Sequence, residues 1–159
     1  MSNFAQFDAA EVFDMAIQTE RDGKAFYLAA AATDPEVKKI MAHLADAEAH
    51  HETAFRQMKV ESTAGAPAES YGGEREEYIQ ALLQTRVLRD EASAAAAIAE
   101  MKQDQEALDF AIAFEKDTIL FMFEMRDVLP ESEREKMDVL IEQERGHVKL
   151  LQQMKASRG

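Results

Sequence analysis

Apolar residues recur every three or four positions along most of the chain, a spacing that is typical of one face of an α-helix. Four segments carry this pattern: residues 8–32, 35–59, 105–128 and 131–156. A Thr-Asp-Pro-Glu break at residues 33–36 separates the first two segments, and Pro130 separates the last two. Proline favours the first turn of a helix, and short connections make the flanking helices antiparallel neighbours. The pattern therefore predicts two helical hairpins.

The stretch between the two hairpins, residues 60–104, is too long for a turn. It begins with VESTAGAPAESYGGE, whose Gly, Pro and Ser predict an irregular connection, and continues with two shorter helical stretches, EREEYIQALLQTRV and EASAAAAIAEMK. No alternating strand pattern competes with these helices. We therefore predict an all-α four-helix bundle with a long crossover connection, formed by residues 1–159 as a single domain.

Charge and composition exclude several classes of function. The chain has 31 acidic and 18 basic residues and a net charge of -13, which repels phosphate backbones and anionic lipid surfaces. We therefore expect neither nucleic acid nor a membrane as a partner. The absence of cysteine excludes thiolate metal sites within these 159 residues. No segment reads as a signal peptide or a membrane span, so we expect a cytoplasmic protein; a homodimer is compatible with the sequence.

The two hairpins are related in sequence. Six residues recur at an offset of 95: Asp14 with Asp109, Ala16 with Ala111, Ile17 with Ile112, Glu20 with Glu115, Asp22 with Asp117 and Phe26 with Phe121. Five more recur at an offset of 96: Met41 with Met137, Leu44 with Leu140, Glu48 with Glu144, His51 with His147 and Met58 with Met154. Of the adjacent pair His50 and His51, only the second has a counterpart in the other hairpin.

Carboxylates and imidazoles interrupt the apolar stripes at these repeated positions. The residues concerned are Glu20, Glu48, His51, Glu115, Glu144 and His147. Four buried carboxylates repel one another unless cations compensate them, and two divalent ions balance the four charges. Residues three apart share one side of a helix, so Glu48 can bridge two ions while His51 holds one, and the second Glu-x-x-His motif can do the same. Oxygen and imidazole ligands accept iron, manganese or zinc.

A simpler interpretation exists for each of these residues taken alone. A helical glutamate is usually solvated, and one Glu-x-x-His motif in an acidic helical chain is close to a chance event. The repetition of six such residues within apolar stripes favours a metal site. His43 and His50 lie off the stripes, and we expect them to be solvated. A metal-free helical interaction module, with the buried acids in a hydrogen-bonded network, remains an alternative.

The combination of one glutamate on each of two helices with Glu-x-x-His on the other two resembles the ferritin-like di-iron carboxylate proteins. The stretch ERDGKAFY, residues 20–27, resembles the first-helix signature of their rubrerythrin branch. This resemblance implies a ferritin-like bundle that holds two iron ions through the six residues named above, with the Tyr27 hydroxyl close to the ligands. It also implies an oxidoreductase that reduces hydrogen peroxide or dioxygen.

Three departures from rubrerythrins modify that expectation. The chain has no cysteine for a rubredoxin-type iron, so electrons would come from an external donor such as a rubredoxin. Thr118 occupies the position of a second glutamate that moves between states of the rubrerythrin site. Met122 stands where the repeat would place a second tyrosine. A ferroxidase or iron-handling protein, which uses ferrous iron as substrate, is therefore an alternative function.

Overall fold

The computed structural model describes residues 9–30, 32–63 and 74–158, and all of their regular structure is helical. The helices are α1 (Ala9–Ala29), α2 (Pro35–Thr63), α3 (Glu74–Thr85), α4 (Glu91–Glu100), α5 (Asp104–Val128) and α6 (Glu131–Ser157). The four long helices and two short crossover helices confirm the predicted all-α bundle. Most of the irregular connection predicted after residue 60 lies outside the described residues.

Two helix ends differ by three or more residues from the bounds that the periodicity predicts. α1 ends at Ala29, three residues before the predicted end, and the chain is then held by the first residue of α5: the Asp104 carboxylate accepts the backbone N–H groups of Thr33 and Asp34, both at 2.8 Å. α2 continues four residues beyond residue 59, where Glu61 pairs with Lys136 of α6. Both ends therefore lie next to contacts with other helices, and the apolar pattern of a single helix cannot predict such contacts.

The interior consists of two apolar clusters, one towards each end of the bundle. The first contains Phe13 and Ile17 of α1, and the second contains Phe26 and Tyr27 of the same helix. Each long helix passes from one cluster to the other, with residues of α2, α5 and α6 divided between them in the same way. Between the clusters, near the middle of each long helix, lie the predicted ligands.

The crossover runs along the length of the bundle. Ile79 of α3 belongs to the first cluster, whereas Leu88 and Ala94, at and beyond the next turn of the crossover, belong to the second. α3 packs against α5, and α4 packs against α1. The crossover thus carries the chain from the end of α2 to the opposite end of the bundle, where α5 begins. Within the described ranges, no helix is both long enough and apolar enough to traverse a bilayer.

Candidate metal centre

All six predicted ligands are buried in the layer between the two apolar clusters. The side chains form two groups in which one ligand atom from each residue lies within 4.8 Å of the others: Glu20, Glu48, His51 and Glu144; and Glu48, Glu115, Glu144 and His147. Glu48 and Glu144 belong to both groups. Two ions placed in these groups would share Glu48 and Glu144, and each ion would have one further glutamate and one histidine of its own.

The imidazoles turn the same ring nitrogen towards the carboxylates. His51 Nδ1 lies 2.7 Å from Glu144 Oε1 and 3.6 Å from Glu20 Oε2. His147 Nδ1 lies 3.2 Å from Glu144 Oε2 and 3.6 Å from Glu115 Oε1. The two rings are stacked, with centroids 5.7 Å apart and planes inclined by 19°. Both Nδ1 atoms therefore face the space that the glutamates enclose.

A glycine makes room for one of the shared carboxylates. A Cβ atom added to Gly23 of α1 would lie 2.9 Å from Glu48 Oε2 and 2.6 Å from Cζ of Phe114. Both distances are shorter than ordinary van der Waals contacts, so any larger residue would displace the Phe114 ring or the carboxylate. The close approach of α1 to Phe114 and Glu48 thus depends on the missing side chain.

Several carboxylate oxygens in this layer have no hydrogen-bond partner among the described residues. They are both oxygens of Glu20, both oxygens of Glu48 and one oxygen of Glu115. Buried polar atoms are almost always hydrogen-bonded, and a buried carboxylate without a partner requires either a cation or a proton. The donor set, four carboxylates and two imidazoles, suits a pair of divalent transition-metal ions. The residues therefore fit the di-metal site that the sequence predicts.

Proton affinities show how the cluster compensates its charge without metal. Burial raises the pKa of Glu48 and Glu115 well above the usual range, and the neighbouring carboxylates raise it further. Burial acts in the same direction on Glu144, but hydrogen bonds from its neighbours, His147 and His51 among them, outweigh it and lower the pKa. The metal-free protein thus holds protons on some of its carboxylates.

The histidines also favour the protonated form. Burial alone lowers the pKa of His51, but the carboxylates of Glu144 and Glu20, at 2.7 Å and 3.6 Å from Nδ1, outweigh that effect and raise the pKa to about 11. Burial also lowers the pKa of His147, but the carboxylates of Glu115 and Glu144, at 3.6 Å and 3.2 Å from Nδ1, outweigh that effect and raise the pKa to about 9. A metal ion must displace the Nδ1 protons, because only a deprotonated imidazole nitrogen binds metal.

Comparisons with known proteins agree with the fold and the type of site. The family model described as rubrerythrin matches residues 11–155. The chain belongs to the rubrerythrin family. The crystal structure of a candidate ferritin-like diiron-carboxylate protein from Thermotoga maritima superposes with a TM-score of 0.77 at 24% identity, covering 97% of this chain and 98% of that one. This likeness shows the ferritin-like fold. No curated protein matches the chain.

The structure shows the surroundings of Tyr27, which belongs to the stretch that resembles rubrerythrins, and of Met122 and Thr118, which depart from them. The Tyr27 hydroxyl donates to Glu115 Oε1 at 2.6 Å, and burial together with that carboxylate raises the pKa of the phenol, which stays protonated. Met122, its counterpart in the repeat, is buried and has no hydroxyl. Thr118 is also buried, and its hydroxyl donates to the Phe114 carbonyl at 3.0 Å. Thr118 therefore brings no carboxylate to the site.

Sequence reasoning missed one polar neighbour of the cluster. Gln143 of α6 lies with its Oε1 atom 2.8 Å from His51 Nε2. The residue has an exposed position on its helix, outside the apolar stripe, so the periodicity gives no signal for it. The adjacent Glu144 offers the one clue available, because it places Gln143 beside the layer of predicted ligands. His43 and His50 are exposed and belong to neither ligand group, in agreement with the expectation from sequence.

Proposed function

We propose that this rubrerythrin-family chain acts as a single domain that binds two iron ions and reduces hydrogen peroxide or dioxygen with electrons from an external donor protein. The proposed ligands are Glu20, Glu48, His51, Glu115, Glu144 and His147. The observation that carries the proposal is that these six side chains form two buried groups, which share Glu48 and Glu144. Oxygens of Glu20, Glu48 and Glu115 in these groups have no hydrogen-bond partner among the described residues. Manganese or zinc could replace iron in the same donor set.

Bound ferrous ions would supply two electrons, which with two protons from water reduce hydrogen peroxide to water or dioxygen to hydrogen peroxide. The chain's own residues have simpler tasks. Glu48 and Glu144 each reach both ion positions, while each histidine presents Nδ1 to one of them. The apolar clusters above and below the layer limit the access of water. Tyr27 orients Glu115 through its 2.6 Å hydrogen bond and keeps its own proton.

The donor is proposed to be external because no cysteine in these 159 residues could hold a rubredoxin-type iron. A rubredoxin is one protein of suitable chemistry. The experiment is anaerobic iron loading, followed by stopped-flow mixing with peroxide or with dioxygen, with and without reduced rubredoxin. We expect faster oxidation by peroxide and repeated turnover only with the donor. Sustained turnover with NADH alone would contradict the external protein donor.

Iron oxidation is the second candidate function, and Thr118 favours it. The hydroxyl of this residue is bonded to a backbone carbonyl, so the site lacks the moving carboxylate described above for rubrerythrins. Faster oxidation by dioxygen, with oxidised iron accumulating beyond two ions per chain, would support a ferroxidase. A Thr118→Glu variant that shifted the preference towards peroxide would identify this position as the cause.

The metal-free interaction module is tested separately. Protein purified from iron-replete medium should contain about two metal ions per chain. Fewer than one ion per chain, together with a failure of the metal-free protein to take up iron, would favour the module and contradict both redox functions.

A further inference from the structure

We propose that Gln143 is the positioning residue of His51 and that it makes the two metal positions unequal. The inference rests on the proposed metal binding, and it concerns a residue outside the six ligands. Gln143 lies on α6, in the second hairpin, whereas His51 lies on α2, in the first. Their contact is therefore a link between the hairpins at the level of the metal layer.

The geometry divides the two ring nitrogens of His51 between two tasks. Nδ1 faces Glu144 and Glu20, at 2.7 Å and 3.6 Å, and Nε2 lies 2.8 Å from Oε1 of Gln143. An imidazole that binds metal through Nδ1 keeps its proton on Nε2 and needs an acceptor for it. The amide oxygen of Gln143 is that acceptor. It holds the ring in the orientation that presents Nδ1 to the carboxylates.

The second hairpin lacks the equivalent support. The repeat offset of 96 places Ala47 opposite Gln143, and alanine has no acceptor in its side chain. Among the described residues, His147 Nε2 has no hydrogen-bond partner, although its Nδ1 faces the carboxylates as that of His51 does. The side chain of His147 is also more exposed, at 10% against 2% for His51. Only His51 therefore has a side-chain hydrogen-bond partner for its Nε2 atom among the described residues.

Removal of the outer partner of a metal-binding histidine typically weakens metal binding by about 10- to 100-fold. Here the loss should fall on the ion held by Glu20 and His51 and spare the ion held by Glu115 and His147. A residue that merely stabilised the fold would weaken both ions to a similar extent. The ratio of the two affinities therefore separates positioning from general stability.

The test uses zinc titration of the metal-free full chain by calorimetry, together with NMR detection of the His51 Nε2–H proton. Gln143→Leu should weaken one of two ions by about 10- to 100-fold and accelerate exchange of that proton with solvent. Gln153→Leu, at an exposed position on the same helix, is the matched control and should change neither quantity. Gln143→Glu keeps an acceptor, so it should retain the wild-type metal affinity and the slow exchange of the His51 Nε2–H proton. Ala47→Gln should slow exchange of the His147 Nε2–H proton.

Equal weakening of both ions by Gln143→Leu, or no difference from Gln153→Leu, would overturn the proposal. Failure of Gln143→Glu to restore the stronger affinity would also overturn it. If the wild-type chain binds no zinc or iron at all, the proposed function is wrong. The exchange rate of the His51 Nε2–H proton in the metal-free protein then still decides whether Gln143 holds the ring.

Discussion

The two hairpins, α1–α2 and α5–α6, supply the same ligand types at the same repeat positions but surround them with different residues. The supporting positions pair Tyr27 with Met122, Ala47 with Gln143, and Gly23 with Thr118. Tyr27 of the first hairpin bonds Glu115 of the second, and Gln143 of the second bonds His51 of the first. Each hairpin thus supports one proposed ligand of the other, and the two proposed ion positions have different surroundings.

Packing explains one of these differences. Phe114 of α5 lies against Gly23 of α1, a large residue against the smallest one. The repeat counterparts of this pair are Thr19 and Thr118, two residues of intermediate size that line a common cavity of about 10 Å³. That volume is room for about one water molecule. The contact between α1 and α5 is therefore made by a small and a large residue at Gly23 and Phe114, but by two threonines at the equivalent positions of the repeat.

The largest expected effect comes from removing a residue that both halves share. Glu48→Ala or Glu144→Ala should reduce bound metal from about two ions to fewer than one per chain, because each carboxylate reaches both positions. Glu20→Ala and Glu115→Ala should each spare one ion. Metal analysis after iron loading measures these values, and His50→Ala is the control because that residue is exposed. Equal metal retention in Glu48→Ala and His50→Ala would remove the basis of the shared-ligand account.

The next effect concerns the hydrogen bond that Tyr27 donates to Glu115; Glu20 has no such bond among the described residues. Tyr27→Phe keeps the buried ring but removes the donor to Glu115, so the ion held by Glu115 and His147 should bind about 10- to 100-fold more weakly. Met122→Leu changes the repeat counterpart without gaining or losing a hydroxyl, and it should leave both affinities unchanged. Zinc titration of the two variants compares them. If both behave alike, the hydroxyl has no part in holding the metal.

A smaller effect is expected from the unequal packing. Gly23→Ala forces Phe114 or Glu48 to move and should lower the free energy of unfolding by about 1–3 kcal/mol, with weaker metal binding. Thr118→Ala, at the equivalent position of the second hairpin, should change it by about 1 kcal/mol or less. Denaturant unfolding of the metal-free proteins provides the comparison. Full tolerance of Gly23→Ala would mean that the two halves are packed alike.

Stability should also depend gradually on pH. His51 and His147 have folded-state pKa values of about 11 and about 9, above the usual value of about 6.5. Their stabilisation of the metal-free protein is complete below about pH 6.5 and is lost as the pH rises through about 9 and then 11. Thermal unfolding should therefore occur at lower temperature at alkaline pH. Metal displaces these protons, so metal affinity should rise over the same range. A metal-free protein that became more stable from pH 6.5 to 9 would contradict these assignments.

The sequence was sufficient to predict the helices and those residues whose role is visible in the pattern of a single helix. The apolar stripe of each long helix is visible in the chain, and Glu20 or Glu48 stands out because it interrupts a stripe. Gln143 could not be found in this way, since it is exposed on α6 and reaches His51 only when α2 packs alongside. The need for Gly23 likewise arises from the approach of Phe114, a contact between α1 and α5. Supports that one helix provides for another become visible only in three dimensions.

We propose that two ions lie between the hairpins and share Glu48 and Glu144. Anomalous diffraction from crystals of the iron-loaded protein tests it most directly. We expect two metal peaks in the layer between the apolar clusters, one beside Glu20 and His51 and the other beside Glu115 and His147. Glu48 and Glu144 should each contact both peaks. A single peak, a peak on His43 or His50, or density in which Glu48 and Glu144 each bind one ion would contradict it.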